Sequence, residues 1–497
     1  MSLLKKLAGE TAIYGLSSIL GRLLNYVLLT PYLTRVFSTE SYGIISDVYA
    51  YVALLTVIFS YRMETAFFRY ASRSETKENA FDTANLMLLG STIILSSLLS
   101  FFVPQLASLT SYQSNPEYLY IFIGVLALDT LVAVPFAQLR LQNRPWRYAG
   151  LRLLNILVNI FFIFFFLELC PYLINKGFQW LTFVYKEEFR IGYVFLSNLL
   201  ASAITFFPFL SAFKNLKKGF DKFLAGKMIR YAAPLVISSI AGIINQFIGT
   251  PLLKYMGPGT ISQNLSDVGI FNAAAKIAIL MTLFTQAFNY AAEPFFFRHS
   301  QSDDAKIIYG QVARAFTLVG CIVFLGILSF IDLIGLLIGP DFRSGLFILP
   351  FLLMAYLFLG LFYCFSIWYK LADKTYIGGR ISFIGTCITI TLNLALIPRL
   401  GMIGPAIAAF GCYFFMAVAA YITGRKNDPI PYPIIKMLAY LIIAVVGYIA
   451  LTLIPSFLPN EVIYRILVGG IVFSSYLLFL LVLERKELQV WINQKRN

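Results

Sequence analysis

Runs of mostly apolar residues, broken by short polar segments, recur along the whole chain. A helix needs about 20 such residues to cross a bilayer. Fourteen stretches reach that length, near 11–35, 42–68, 81–108, 117–140, 147–170, 191–213, 228–254, 268–296, 306–338, 345–370, 376–398, 401–423, 434–456 and 461–484. Their connections are short, the most notable being 170–190 and 255–267, and no soluble domain is left over. The expected fold class is an all-α polytopic membrane protein with about 14 transmembrane helices. The opening MSLLKKLAGE has a basic start, but the apolar stretch after it is long and contains Arg22. It therefore reads as an uncleaved first transmembrane helix rather than a signal peptide.

Composition agrees with that pattern. Of 497 residues, 59% are hydrophobic and 13% charged, against about 45–50% and about 25% in soluble domains. Mean hydropathy is +0.78. The net charge of +15, from 39 Lys and Arg against 24 Asp and Glu, would suggest nucleic acid in a soluble protein. Here it reads as topology. With the N-terminus inside, 24 cations fall on the inner face and 8 on the outer, as the positive-inside rule requires for both termini cytoplasmic. The seven left within spans or at their edges are Arg22, Arg62, Arg152, Lys276, Arg314, Arg380 and Lys436, and no nucleic-acid partner is expected. One histidine, His299, and five cysteines without CxxC spacing speak against a histidine-based relay or a metal site.

Three polar motifs recur in order. Ser17 to Leu33 and Ser238 to Leu253 share S-S-I-x-G, then Asn25 with Asn245, then Thr30-Pro31 with Thr250-Pro251. E-x-x-F-F-R ends the second helix at Glu64–Arg69 and the eighth at Glu293–Arg298. Y-x-G-x-R opens the fifth at Tyr148–Arg152 and the eleventh at Tyr376–Arg380. The offsets are 221, 229 and 228. The chain therefore reads as two six-helix repeats, an N-lobe at 1–216 and a C-lobe at 217–427, followed by 428–497 with two added helices and a tail. Six is even, so the repeats run parallel and are related by an axis along the membrane normal. Prolines such as Pro31, Pro135, Pro208 and Pro251 are candidate bending points.

Fourteen helices in a 6+6+2 pattern resemble the multidrug/oligosaccharidyl-lipid/polysaccharide (MOP) exporter superfamily. The opening run to Leu33, Tyr42-Gly43, the FFRY at 67–70 and the Y-x-G-x-R motif resemble its polysaccharide-transporter branch, the O-antigen type flippases. The resemblance implies movement of a polyprenyl-pyrophosphate-linked oligosaccharide from the cytoplasmic to the outer leaflet of a bacterial inner membrane. It implies alternating access, for surface polysaccharide biosynthesis, with glycosyltransferases and a polysaccharide polymerase as partners.

A charge at mid-bilayer costs at least about 2.5–3.5 kcal/mol, and the repeat sorts these charges into two kinds. Glu64 with Glu293, and Arg152 with Arg380, occupy matching places and suit a duplicated gating or ion-pair network. Arg22, Lys276, Asp129 and Asp47 have no counterpart charge. Arg22 and Lys276 are the expected phosphate ligands, as a guanidinium fork and an ammonium point charge. Related lipid II flippases carry basic residues in the first helix, which adds weight to Arg22. Asn25 and Arg314 complete the expected substrate-binding set. No G-x-x-x-x-G-K-[ST] loop is present, so ATP hydrolysis and cofactors are not expected. Coupling to a proton or sodium gradient would fall to a carboxylate such as Asp129 or Glu64. Two other readings compete: a drug/cation antiporter of the same superfamily, and a membrane glycan polymerase or glycosyltransferase. In every reading but the last the protein is a transporter and not an enzyme.

Overall fold

The computed structural model describes residues 24–72, 77–214, 219–299, 304–454 and 462–485. Among them, 13 helices are long and apolar enough to cross a membrane, from Thr39–Ala71 to Val462–Leu483. They coincide with the second to fourteenth expected spans. Most of the first span lies outside the described residues. Helices are the physical answer to a bilayer solvent, because every N–H and C=O finds its partner inside the segment.

Contacts divide the chain into two compact units. One contains 45–247 with the described residues before Thr30, and the other contains 30–44 with 248 onward. The chain changes unit at 29/30, 44/45 and 247/248. Two of these three points are the same place in the repeat. A π-helical turn, Asn25–Leu29, precedes α1 (Thr30–Val36), and further along α11 (Lys222–Phe247) ends just before α12 (Gly249–Met256). Thr30-Pro31 and Thr250-Pro251 each sit in the first turn of the new segment. Proline has no N–H and is tolerated there, while the ladder behind it is interrupted. The duplicated Thr-Pro pairs thus mark the crossings between units.

The first unit contains α2 (Thr39–Ser60) from Ile45 on, α3 (Met63–Ala71), α4 (Lys77–Phe101), α5 (Val103–Leu109), α6 (Glu117–Leu141), α7 (Pro145–Phe164), α8 (Cys170–Asn175), α9 (Arg190–Phe206), α10 (Leu210–Lys214) and α11. Met63, Phe67, Ala84, Leu88, Val134, Leu224, Met228 and Ala232 form one of its cores. Leu224, Met228 and Ala232 belong to α11, which the repeat assigns to the second half. The first turns of that helix are buried here, so packing and repeat divide the chain at different places. Pro208 lies in a 3-10 turn, Phe207–Phe209, that separates α9 from α10.

The second unit holds α1, the start of α2, α12, α13 (Ile261–His299), α14 (Ala305–Ser329), α15 (Ile331–Ile334), α16 (Leu349–Phe365), α17 (Ile367–Leu371), α18 (Thr375–Leu400), α19 (Ile403–Asn427), α20 (Ile434–Leu453) and α21 (Val462–Leu483). Small residues let its helices approach closely. The tightest crossing joins α2 to α13. A Cβ on Gly43 would lie 1.8 Å from the Leu265 carbonyl oxygen, and one on Gly269 would lie 2.0 Å from that of Thr39. Glycine is required at both positions. The Thr34 hydroxyl accepts from the Gly339 N–H at 2.9 Å, and Arg35 donates to the Leu336 carbonyl at 2.5 Å. The two added helices are tied to α14. Gly469 rests on the Ser329 backbone, and Arg314 lies 3.6 Å from Glu484.

Candidate functional site

In the first unit, E-x-x-F-F-R follows a break in the second span. Tyr61 and Arg62 are both left-handed, with φ of 31° and 57°. An L-residue held there costs about 1–2 kcal/mol, so other contacts must hold it. Arg62 Nε donates to the Ser239 hydroxyl of α11 at 2.6 Å, and its Nη1 lies 3.4 Å from Glu64. The Tyr61 hydroxyl accepts from Ser91 at 3.3 Å. Arg69 stacks over Tyr231 at 4.2 Å. In the second unit, α13 runs unbroken through the equivalent positions, and Glu293 instead meets Lys370 at 3.1 Å. The side chain of Arg298 lies outside the described set. The duplicated carboxylates therefore take different partners, one at the break just before its helix and one on α17.

The duplicated Y-x-G-x-R motif keeps its geometry. Tyrosine and arginine are one helical turn apart and share a face. Arg152 lies 5.7 Å from the Tyr148 ring and 4.3 Å from Phe136. Arg380 lies 5.3 Å from Tyr376. Each is a cation–π contact of the kind worth about 0.5–1 kcal/mol when exposed.

The unduplicated charges are held separately. Asp129 on α6 accepts from the Ser202 hydroxyl at 2.7 Å, and Arg152 is the cation whose field reaches it. Asp47 on α2 is fully buried and accepts from the Tyr112 hydroxyl at 2.7 Å. Thus Asp129 is held by Ser202 within the field of Arg152, while Asp47 joins a different contact. Lys276 is half-buried on α13. Arg314 is drawn into a cluster in which Glu484 also faces Lys436 at 3.9 Å and accepts from the Tyr440 hydroxyl. Arg22 lies outside the described residues, and Asn25 opens the π-helical turn with its side chain likewise outside them. Among the described residues, no group of three or more His, Cys, Asp or Glu is placed to hold a metal ion.

Three features escaped the sequence reading. Arg62 meets the same asymmetry test that singled out Arg22, because Ala291 stands at its matching place. Glu484 looked like a helix end, yet it lies between two cations. Lys254 is fully buried on α12, and its sequence surroundings gave no signal of that.

Residues 7–300 match the family described as polysaccharide biosynthesis protein. A Haemophilus influenzae protein named for the Lsg locus is 20% identical over 298 residues, which cover 59% of this chain and 66% of that protein. Among solved structures, the lipid II flippase MurJ in an inward closed conformation is similar over 96% of this chain and 99% of its own, with a TM-score of 0.71 and 14% identity. An inward-facing multidrug resistance MATE transporter of the MOP superfamily is similar over 82% and 98%, with a TM-score of 0.61 and 15% identity. A MOP superfamily transporter from Pyrococcus furiosus reaches a TM-score of 0.54 at 12% identity over 84% and 95%. The chain belongs to the polysaccharide biosynthesis protein family and has the fold of the MOP exporter superfamily.

Proposed function

We propose that this protein is a flippase. It moves a polyprenyl-pyrophosphate-linked oligosaccharide from the cytoplasmic to the outer leaflet of a bacterial inner membrane, with both termini cytoplasmic. The observation that carries the reading is a match to a polysaccharide biosynthesis family on a chain whose whole length follows the fold of a lipid II flippase. The anionic pyrophosphate is the group to be recognised. Arg22 and Lys276 are its proposed ligands, assisted by Asn25 and Arg314. Arg62 joins them because its exposed guanidinium is held at a strained break by Ser239 and Glu64. Arg152, Arg380, Glu293 and Asp47 serve gating contacts. Asp129 or Glu64 carries any proton or sodium coupling. Glycosyltransferases supply the substrate and a polymerase consumes it.

The test is export in cells dependent on this protein. Arg22→Ala and Lys276→Ala should each abolish appearance of the lipid-linked oligosaccharide on the outer leaflet while membrane expression stays normal. Full export by the double variant overturns the proposal. The likeness to MATE transporters favours one second reading, ion-coupled export of organic cations. Binding of an organic cation, with no binding of an anionic lipid pyrophosphate, would establish it.

A further inference from the structure

The loop between α19 and α20 carries Pro429, Pro431 and Pro433 at alternate positions. Each fixes φ and removes a donor, so the loop is stiff. It is also clamped. The Tyr432 hydroxyl donates to the Cys364 carbonyl at 3.3 Å, and its ring meets Phe365 edge-on at 4.8 Å. Gly310 of α14 makes room for it, since a Cβ there would lie 2.6 Å from the Pro431 carbonyl oxygen. With the ends of α19 and α20 this loop forms an open cleft of about 650 Å³ that includes Tyr421, Arg425, Ile435 and Lys436. The cleft is preformed rather than dependent on a mobile segment.

Its charge is one-sided. Arg425 and Lys436 are the charged residues of the lining. Beside them, Lys436 and Arg314 share Glu484, and Asp428 is taken up by Lys306. Among the described residues no ion pair takes up Arg425, so its positive charge is open at the cleft. Its apolar side is equally distinct. Ile435 is 87% exposed at the cleft, and Leu438, Ile442, Val446, Ile449 and Leu453 continue an exposed row along α20 at spacings of three or four. That spacing keeps them on one face. On a membrane-spanning helix this row meets hydrocarbon chains, and it leads directly to the cleft. A molecule with an anionic head and long hydrocarbon chains satisfies both.

We propose that the cleft binds the headgroup of an anionic phospholipid, with its phosphate between Arg425 and Lys436 and its acyl chains along α20. Basic pockets at the cytoplasmic ends of membrane helices suit such headgroups, and the proposed topology puts this end on the cytoplasmic side. Lys436 also faces Glu484, so the bound phosphate joins the charge cluster that ties α20 and α21 to α14. The lipid therefore reinforces that docking.

The test uses the full chain in mild detergent with equal amounts of phosphatidylglycerol and phosphatidylcholine, read by native mass spectrometry. Wild type should retain phosphatidylglycerol in preference. Each positive charge removed should weaken its retention about fivefold, so Arg425→Gln loses about fivefold and Arg425→Gln/Lys436→Gln more. Phosphatidylcholine retention should not change. Because Lys436 also takes part in a structural contact, exposed Arg425 decides the matter: Arg425→Glu that unfolds at the wild-type temperature yet retains as much phosphatidylglycerol overturns the proposal. So does complete displacement of the lipid by excess glycerol 3-phosphate, which would make free phosphate the ligand.

Discussion

Substituting Gly43 with alanine isolates the crossing of α2 and α13. The new Cβ would meet the Leu265 carbonyl oxygen at 1.8 Å, its carbon at 2.7 Å and the Gly269 nitrogen at 3.2 Å. Cβ contacts below 3.0 Å essentially do not occur, so the backbones must part by about 1.2 Å. Both neighbours are main chain, and no side chain can swing aside. Overpacking of this kind costs about 1–3 kcal/mol, sometimes more. Alanine returns up to about 1 kcal/mol of helix propensity. The net loss is therefore about 1–2 kcal/mol. At about 2–4 °C per kcal/mol for a cooperative unit of this size, Tm falls by about 2–8 °C. Thermal unfolding of the detergent-purified protein measures it. Gly379→Ala on α18 is the control, because nothing lies within 4 Å of its Cβ and the propensity gain should appear alone. Gly269→Ala strains the same contact, so the double variant should cost less than the two singles combined. Gly43→Ala as stable as Gly379→Ala would refute the reasoning.

Other expectations follow from the contacts above. Arg62→Gly should be more stable than Arg62→Ala by about 1 kcal/mol, since both lose the side chain and only glycine accepts φ of 57° freely; equal melting temperatures would show that the break relaxes. Glu484→Gln leaves Arg314 and Lys436 facing each other and should destabilise by about 1–3 kcal/mol, with part of that recovered in Glu484→Gln/Arg314→Gln by denaturation in a double-mutant cycle. Asn264→Ala removes bonds to the carbonyls of Lys254, Gly257 and Gly259 and from the Gly259 N–H. It should cost about 1–3 kcal/mol and expose the 255–260 loop to limited proteolysis.

The spans were legible because a bilayer demands long apolar helices with satisfied backbones, and that demand is written locally. The repeat was legible because polar residues are rare enough in such helices for Thr30-Pro31 and Thr250-Pro251 to stand out. What lay beyond reach depends on partners distant in sequence. Nothing near Gly43 announces Leu265 and Gly269. Nothing near Lys222–Phe247 says that Leu224, Met228 and Ala232 are buried with α3 and α4 rather than with their own repeat. The symmetry test located charges but not their partners: Glu64 and Glu293 match in sequence and pair differently. Arg62 escaped notice because the break that displays it follows from backbone geometry.

The attachment of residues 30–44 to the second unit has a consequence for biogenesis. Arg35 and Thr34 leave the ribosome well before their partners Leu336 and Gly339, which lie 301 and 305 positions later. At about 5–20 residues per second of synthesis, these two residues wait roughly 15–60 s for the chain that will receive them. Helices first insert singly and associate afterwards. The first unit can therefore assemble soon after Phe247 emerges, and Thr39–Gly43 can dock once Leu265 and Gly269 of the eighth span are threaded, while Thr34 and Arg35 meet Gly339 and Leu336 only after the ninth. A ribosome stalled before Gly339 should leave Thr34 and Arg35 accessible to crosslinking by insertion factors, and one stalled beyond the tenth span should not.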